Sequence, residues 1–320
     1  MKKRTVLLIG KYTKEECNLS MYKQNFFVYK IDELMDLKKI KKNDLEKIDA
    51  IAFKGHSKID LEIMNKFPSL RIISNFGVGY DTINIDDAKK LNILVSFTPD
   101  ILSDDVADMA LALYLGVSRK LNNGYEWIKS GNWVSQGEMP LNKNISGSKC
   151  GILGLGRIGF EIAKRLEAFK TEIHYFSRKP KKVSSKWIYY NNPLELCTNV
   201  ENLFISLKGG DSTNGFVSAD FLKALGKDGI VINISRGSVI DENSLLDALE
   251  SGKIYGAGLD VFLNEPRINQ RFLGLNNVFL QPHQGSATKK TRKAMGELQF
   301  RNILNYFENG TPLTLVPELE

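Results

Sequence analysis

The sequence predicts an α/β protein built from two doubly wound, Rossmann-like parallel sheets. Short apolar runs rich in β-branched residues alternate with helical stretches, which is the pattern of a parallel sheet covered on both faces. The runs fall into two sets. A chain of 320 residues also exceeds the usual span of one hydrophobic core.

The first set is VLLIG from Val6, AIAF from Ala50, RIISNF from Arg71 and ILVSF from Ile93. The second is CGILG from Cys150, EIHYFS from Glu172, LFISL from Leu203, IVINI from Ile230, YGAGLDVF from Tyr255 and VFLQP from Val278. Between them, TPDILSDDVADMALALYLGVSRKL predicts a long helix capped by Ser103, with Asp104 and Asp105 in a first turn that suits the helix dipole. That helix is expected to link the domains. The closing segment ELQFRNILNYFENG has helical periodicity and is expected to pack back on the first domain.

Composition narrows the function classes. With 42% hydrophobic and 25% charged residues the chain reads as an ordinary globular protein. The apolar run in MKKRTVLLIG, Val6 to Ile9, is too short for a signal peptide, and no stretch approaches the roughly 18 apolar residues of a transmembrane helix. Cys17, Cys150 and Cys197 are scattered and form no CxxC pair, so neither a disulfide framework nor a metal site is expected, and a reducing cytoplasm fits. The net charge of +7 comes from lysines spread along the chain, which suits anionic small molecules rather than nucleic acid or a membrane.

Gly154-Leu155-Gly156-Arg157-Ile158-Gly159 is a GxGxxG, and its context gives it weight. It follows the CGILG strand and opens the helix FEIAKRLEAF, where Ile162, Leu166 and Phe169 share one apolar face. One glycine permits a tight turn, one lets the backbone approach a pyrophosphate, and one allows close helix–strand contact. NAD-specific sites place an acidic residue about 20 positions on, against the ribose 2′-hydroxyl. Here Ser177-Arg178-Lys179 stands in that place, and Glu172 lies at the far end of the strand. NADP is therefore the expected preferred cofactor, with NAD the alternative. Lys208, in the SLKGG loop, is a further candidate for phosphate, and Ile234, Asp260 and Gly285 complete the expected cofactor set.

Hydride transfer from a nicotinamide to a carbonyl calls for a proton donor, and an anionic substrate for a cation. The chain has three histidines. His174 sits inside a strand and is expected to be structural. His56, in KGHSK, follows a strand end without an evident orienting partner. His283, in QPHQGS, follows an apolar strand where open α/β sheets bind ligands. Glu265 and Arg236 follow the two preceding strands at equivalent ends. Arg236, Glu265 and His283 are thus the expected catalytic set, although the order of their strands in the sheet is not readable from the chain.

The segments NFGVGYDTIN, TPDILSDDVADMALAL, GILGLGRIG, NISRGSVIDE, GAGLDVFLNEP and PHQGSAT, in this order, resemble the D-isomer-specific 2-hydroxyacid dehydrogenases, particularly their glyoxylate and hydroxypyruvate reductase branch. The resemblance implies a split substrate-binding domain, residues 1–98 plus 288–320, and an inserted NAD(P)-binding domain, residues 99–287. It also implies a cleft between them and a homodimer built largely on the cofactor domains. By position, Arg236 would grip the substrate carboxylate and carbonyl, His283 would donate the proton, and Glu265 would hold and charge the imidazole. A neighbouring carboxylate favours the imidazolium form that protonates a ketone, and an arginine fork suits a carboxylate. The backbone amides of Val78 and Gly79 would complete the carboxylate site.

The expected activity is NADPH-driven reduction of glyoxylate or hydroxypyruvate to glycolate or D-glycerate. The alternatives are a dehydrogenase of D-lactate, an aromatic 2-hydroxy acid or 3-phosphoglycerate, and a dinucleotide-sensing, corepressor-like binding protein. The phosphoglycerate reading is disfavoured because the ribose-binding acid is missing and no regulatory domain is expected after residue 320. In many relatives a proline stands where this chain has Lys208. Trp133 and Met139, in GNWVSQGEMPLNKN, lie on a stretch expected to be extended, and in some relatives that stretch shapes the substrate pocket.

Overall fold

The computed structural model describes residues 3–320, and the chain divides into two compact units. One holds the residues up to Leu102 together with Thr288–Glu320; the other is Ser103–Ala287.

The first unit carries β1 (Thr5–Ile9), β2 (Phe27–Ile31), β3 (Ala50–Phe53), β4 (Ile72–Asn75) and β5 (Leu94–Ser96). They form one parallel sheet in the order β2-β1-β3-β4-β5. Because side chains alternate along a strand, each strand feeds two cores. Leu7, Ile9, Ile51, Phe53 and Ile73 pack on one face, and Val6, Leu8, Ala50, Ala52 and Ile72 on the other. The helix Lys289–Asn309 covers the second face through Phe300 and Ile303, so the closing segment returns to this unit as expected. Buried Gln299 fixes it there, donating to Phe53 O at 3.1 Å and Ser74 O at 2.8 Å. The strand Phe27–Ile31 carries no clear signal in the sequence. It lies at the sheet edge, and only Ile31 of its five residues is buried.

The second unit carries β6 (Lys149–Leu153), β7 (Glu172–Phe176), β8 (Ile188–Tyr190), β9 (Asn202–Ile205), β10 (Ile230–Asn233), β11 (Gly256–Leu259) and β12 (Val278–Leu280). All are parallel, in the order β12-β11-β10-β9-β6-β7-β8. This is the Rossmann order with one strand added at the β12 edge. The short edge strand β8 is the other element missed from sequence.

The helix Ser103–Ser118 opens the second unit, and Ser103 is its first residue rather than the cap before it. It lies against β10, β11 and β12 and against the helix Arg157–Glu167. Glycines set that closeness: a Cβ on Gly116 would stand 2.5 Å from the Phe279 ring, and one on Gly256 2.8 Å from Val117. Among the described residues no helix is long and apolar enough to cross a membrane.

Gly296 allows a similar approach in the first unit, since a Cβ there would stand 1.8 Å from the carbonyl oxygen of Glu16. Alanine is favoured over glycine by about 1 kcal/mol inside a helix. Backbone overlap of this size outweighs that gain, because forced repacking costs typically about 1–3 kcal/mol. Gly296→Ala is therefore expected to lower the denaturant midpoint in an unfolding titration; a raised midpoint would show that the helix shifts freely.

Candidate active site

Arg236, Glu265 and His283 follow β10, β11 and β12, which are successive neighbours in one parallel sheet. Their carboxyl ends therefore face the same way, and the sheet order that the chain left open brings the three loops side by side. After β10, buried Asn233 shapes the turn: its Oδ1 accepts from Ser235 N at 3.0 Å, and its Nδ2 donates to Arg236 O at 2.9 Å. The Arg236 guanidinium donates through Nη1 to Ser235 O at 2.8 Å. A Cβ on Gly237 would stand 1.9 Å from the Phe262 carbonyl carbon, so the turn after β10 rests directly on the backbone after β11.

That second turn carries Glu265. One of its carboxylate oxygens accepts from Phe262 N at 2.8 Å, and the other accepts from His283 Nδ1 at 2.6 Å. A carboxylate can only accept there, so Nδ1 carries the proton in this contact and Nε2 points from the opposite edge of the ring. His283 has a φ of +55°, a conformation uncommon for non-glycine residues that marks a backbone held by its surroundings.

The holder is Asp260. Only 2% exposed, it accepts Gln284 N at 2.6 Å and Gly285 N at 2.7 Å, while its backbone oxygen accepts His283 N at 2.9 Å. Burial pushes its carboxyl above the usual aspartate range, while the two amides and the His283 ring pull the other way. A Cβ on Gly285 would stand 2.9 Å from the Asp260 carboxylate, so the glycine is fitted to this anchor. Asp260 and Gly285, expected from sequence as cofactor residues, hold the histidine loop through these contacts. Asn233 was not singled out, although an asparagine at a strand end, two residues before a needed amide, is a recognisable turn former.

The glycine-rich loop follows β6, at the centre of the sheet. Gly154 has φ +102°, which gives the tight turn. A Cβ on Gly159 would stand 2.3 Å from Gly154 O, so that glycine serves close helix–strand packing. At Gly156 a Cβ would meet nothing within 4 Å, and its φ of −88° is open to any residue. Its smallness therefore serves something outside the protein, which fits a pyrophosphate at the N-terminus of the helix Arg157–Glu167. Ile162 and Leu166 are fully buried; Phe169 lies past the helix end and is half-buried.

Ser177-Arg178-Lys179 follows β7, next to β6. Ser177 is buried and its hydroxyl donates to Lys179 O at 2.7 Å, closing the turn that carries the exposed Arg178 and Lys179. The Tyr189 hydroxyl donates to Ser177 O at 3.3 Å from β8, which ties this turn to the edge strand. Exposed Lys208 follows β9, and buried Ile234 follows β10. His174 is buried inside β7 between Glu172 at 2.8 Å and Tyr190 at 3.1 Å. Burial holds its pKa down, against the pull of Glu172.

In the first unit, Val78 and Gly79 follow β4 in a loop pinned by Asn75, whose Nδ2 donates to Gly77 O at 3.2 Å and Gly79 O at 2.9 Å. Thr98 Oγ1 accepts Gly77 N at 2.9 Å. His56 follows β3 on an exposed loop. The stretch with Trp133 is not extended: Trp133 lies exposed in the short helix Asn132–Gln136. Met139 lines a cavity of about 520 Å³ with Leu115, Arg119 and Phe169, near the amino ends of β6 and β7 and away from the loops described above.

Comparison with known proteins identifies the family. Residues 111–285 match the family described as D-isomer specific 2-hydroxyacid dehydrogenase, NAD binding domain. A 2-ketogluconate reductase of Gluconobacter oxydans is 43% identical over 276 residues, covering 86% of this chain and 88% of the relative. A glyoxylate/hydroxypyruvate reductase of Arabidopsis thaliana is 40% identical over 269 residues, 84% of this chain and 85% of that protein. Among solved structures, an NADPH-dependent glyoxylate/hydroxypyruvate reductase of Sinorhizobium meliloti, in complex with NADP and malonate, superposes with a TM-score of 0.93. It is 38% identical, and the match covers 99% of this chain and 98% of that one. With a glycine cradle shaped for a dinucleotide and a matching family over more than half its length, the chain is an NAD(P)-dependent enzyme of the D-isomer specific 2-hydroxyacid dehydrogenase family.

Proposed function

We propose that the protein is an NADPH-preferring reductase of small 2-oxo acids, with glyoxylate and hydroxypyruvate as substrates. The observation that carries this reading is the His283–Glu265 contact at 2.6 Å on the strand next to Arg236, in a unit whose second Rossmann strand ends in Arg178 and Lys179 rather than an acid. The unit Ser103–Ala287 holds the dinucleotide, and the other unit contributes to substrate binding through the amides of Val78 and Gly79. NADPH supplies the hydride when bound. Arg236 holds the carboxylate and polarises the carbonyl with its planar fork. His283 Nε2 gives a proton to the carbonyl oxygen as the alkoxide develops. Glu265 keeps Nδ1 protonated and the ring oriented, and stabilises the charged ring from which the proton leaves.

We also propose a homodimer. On the helix Leu121–Lys129, Leu121, Tyr125 and Ile128 lie at i, i+4 and i+7 and are exposed, and exposed Trp133, Val134 and Leu141 follow them. An apolar surface of this kind on a globular unit is a common mark of a protein–protein contact.

Initial rates with glyoxylate, hydroxypyruvate, pyruvate and phenylpyruvate, each with NADPH and NADH, test the reading as a whole. Arg178→Ala should weaken NADPH much more than NADH, because a charged contact to phosphate contributes roughly 1.5–3 kcal/mol. A better rate with NADH in the unmodified protein would overturn the preference.

His283→Ala should lower kcat/KM by about 10²–10⁴-fold, and Glu265→Gln by less. The double variant should be no worse than His283→Ala alone, since Glu265 acts through the deleted ring. Independent, additive losses would mean that the carboxylate serves something other than the histidine.

Asp260 gives the pH dependence its sign. Its raised pKa means that it takes up a proton at higher pH than an exposed aspartate, and the protonated acid no longer accepts both amides. Reduction should therefore decline as pH falls into that range. In Asp260→Asn the plateau should drop by about tenfold, the effect of one lost buried hydrogen bond, and this acidic limb should vanish. A full pH–rate profile checks it; an unchanged acidic limb would assign that limb to another group.

A further inference from the structure

The turn that carries Arg178 and Lys179 is held more firmly than an exposed loop requires. β8 is an edge strand of three residues, and two of them are committed to β7. Tyr189 lies opposite Tyr175 in the register, on the same face of the sheet, with ring centres 5.4 Å apart. On the other face the Tyr190 ring stacks on His174 at 5.6 Å, and its hydroxyl meets His174 Nδ1 at 3.1 Å. The edge strand is thereby fixed from both sides. From this support two hydroxyls reach the turn after β7. Tyr189 donates to Ser177 O at 3.3 Å, and buried Tyr175 accepts from Lys181 N at 3.2 Å. The Ser177 hydroxyl closes the turn on Lys179 O at 2.7 Å. Pro180 adds a fixed φ and disfavours the helical region for Lys179 before it. The backbone from Ser177 to Lys181 is thus tied at both ends and in the middle, while the Arg178 and Lys179 side chains are exposed.

Long cationic side chains lose much rotamer freedom when they grip a phosphate, and that loss is comparable to what a charged contact gains. A backbone that already fixes where both side chains start reduces the ordering left for the moment of binding. The sheet itself does not call for this, because the β7–β8 pairing ends at Phe176 and Tyr190, before the turn. We propose that Tyr189 and Tyr175 are positioning residues for coenzyme discrimination, which hold the Arg178–Lys179 turn in the shape that receives the 2′-phosphate of NADPH. They act through the two cations and take no part in proton or hydride transfer. This role rests on the NADPH preference proposed above.

Calorimetric titration with adenosine 2′,5′-bisphosphate and with 5′-AMP reads the phosphate contact without turnover, since the two ligands differ only in the 2′-phosphate. In Tyr189→Phe the bisphosphate should bind about three- to tenfold more weakly relative to 5′-AMP, as expected for one lost neutral hydrogen bond. The NADPH-to-NADH ratio of kcat/KM should fall by a similar factor, mainly through KM for NADPH. Tyr175→Phe should act in the same direction. In a protein that already carries Arg178→Ala and Lys179→Ala, Tyr189→Phe should leave the ratio of the two affinities where it was, because the groups it positions are gone. Phenylalanine keeps the ring contact, and thermal melting shows whether the fold is kept; a tyrosine that serves stability alone would weaken both ligands alike. Such parallel weakening, or an equal effect of Tyr189→Phe with and without the two cations, would overturn the proposal. If the unmodified protein binds the bisphosphate no tighter than 5′-AMP, the NADPH reading falls and the role of the tyrosines falls with it. A clear preference for the bisphosphate that survives Tyr189→Phe undiminished removes the tyrosines alone.

Discussion

A buried carboxylate with both oxygens on backbone amides has little freedom, because any movement gives up two charge-assisted hydrogen bonds in a setting where water does not replace them. Asp260 is fixed in this way to Gln284 and Gly285, and a third bond joins its own carbonyl to His283 N. Through it the end of β11 dictates the path of the chain after β12. The positive φ of His283 follows from that restraint, and so does the direction of the imidazole. Glu265 then needs only to meet a ring that is already placed, and its second oxygen is itself fixed by Phe262 N. Precision at the site thus derives from main-chain hydrogen bonds between neighbouring strand ends, which are stiffer than contacts among side chains alone.

The same economy runs across the second sheet. β7, β6 and β9 end in the residues read as cofactor contacts, and β10, β11 and β12 end in the residues read as catalytic. Since the strands are parallel and about 4.8 Å apart, adjacent loops cannot drift far from one another. Gly237 pressed on Phe262 removes what slack remains between the turns after β10 and β11.

Much of this was legible in the chain, for identifiable reasons. Buried parallel strands such as Ile230–Asn233 are uninterrupted apolar runs, and the glycine loop has spacing tied to its geometry. Two of the four edge strands were not legible, since Phe27–Ile31 and Ile188–Tyr190 mix lysine or tyrosine into their pattern and are mostly not buried. Neither was the hold of Asp260 on the loop after β12, because an acid beside a strand end carries no sign of which neighbouring amides it will meet. The helix Ser103–Ser118 was legible, but not how closely it packs, which is set by Gly256 and Gly258 in β11 and Gly116 in the helix and is visible only once strand and helix are paired.

Gly156 has a wider consequence. It occupies the cap position of the helix Arg157–Glu167, makes no side-chain hydrogen bond there, and borders empty space. Serine or asparagine at a helix cap is at least as favourable to folding as glycine. Judged by the unliganded protein alone, the chain carries a suboptimal residue at the start of its central helix. Any campaign that selects this scaffold for heat resistance without its dinucleotide would drift toward a bulkier cap and erase the cofactor site while every measure of folding improved.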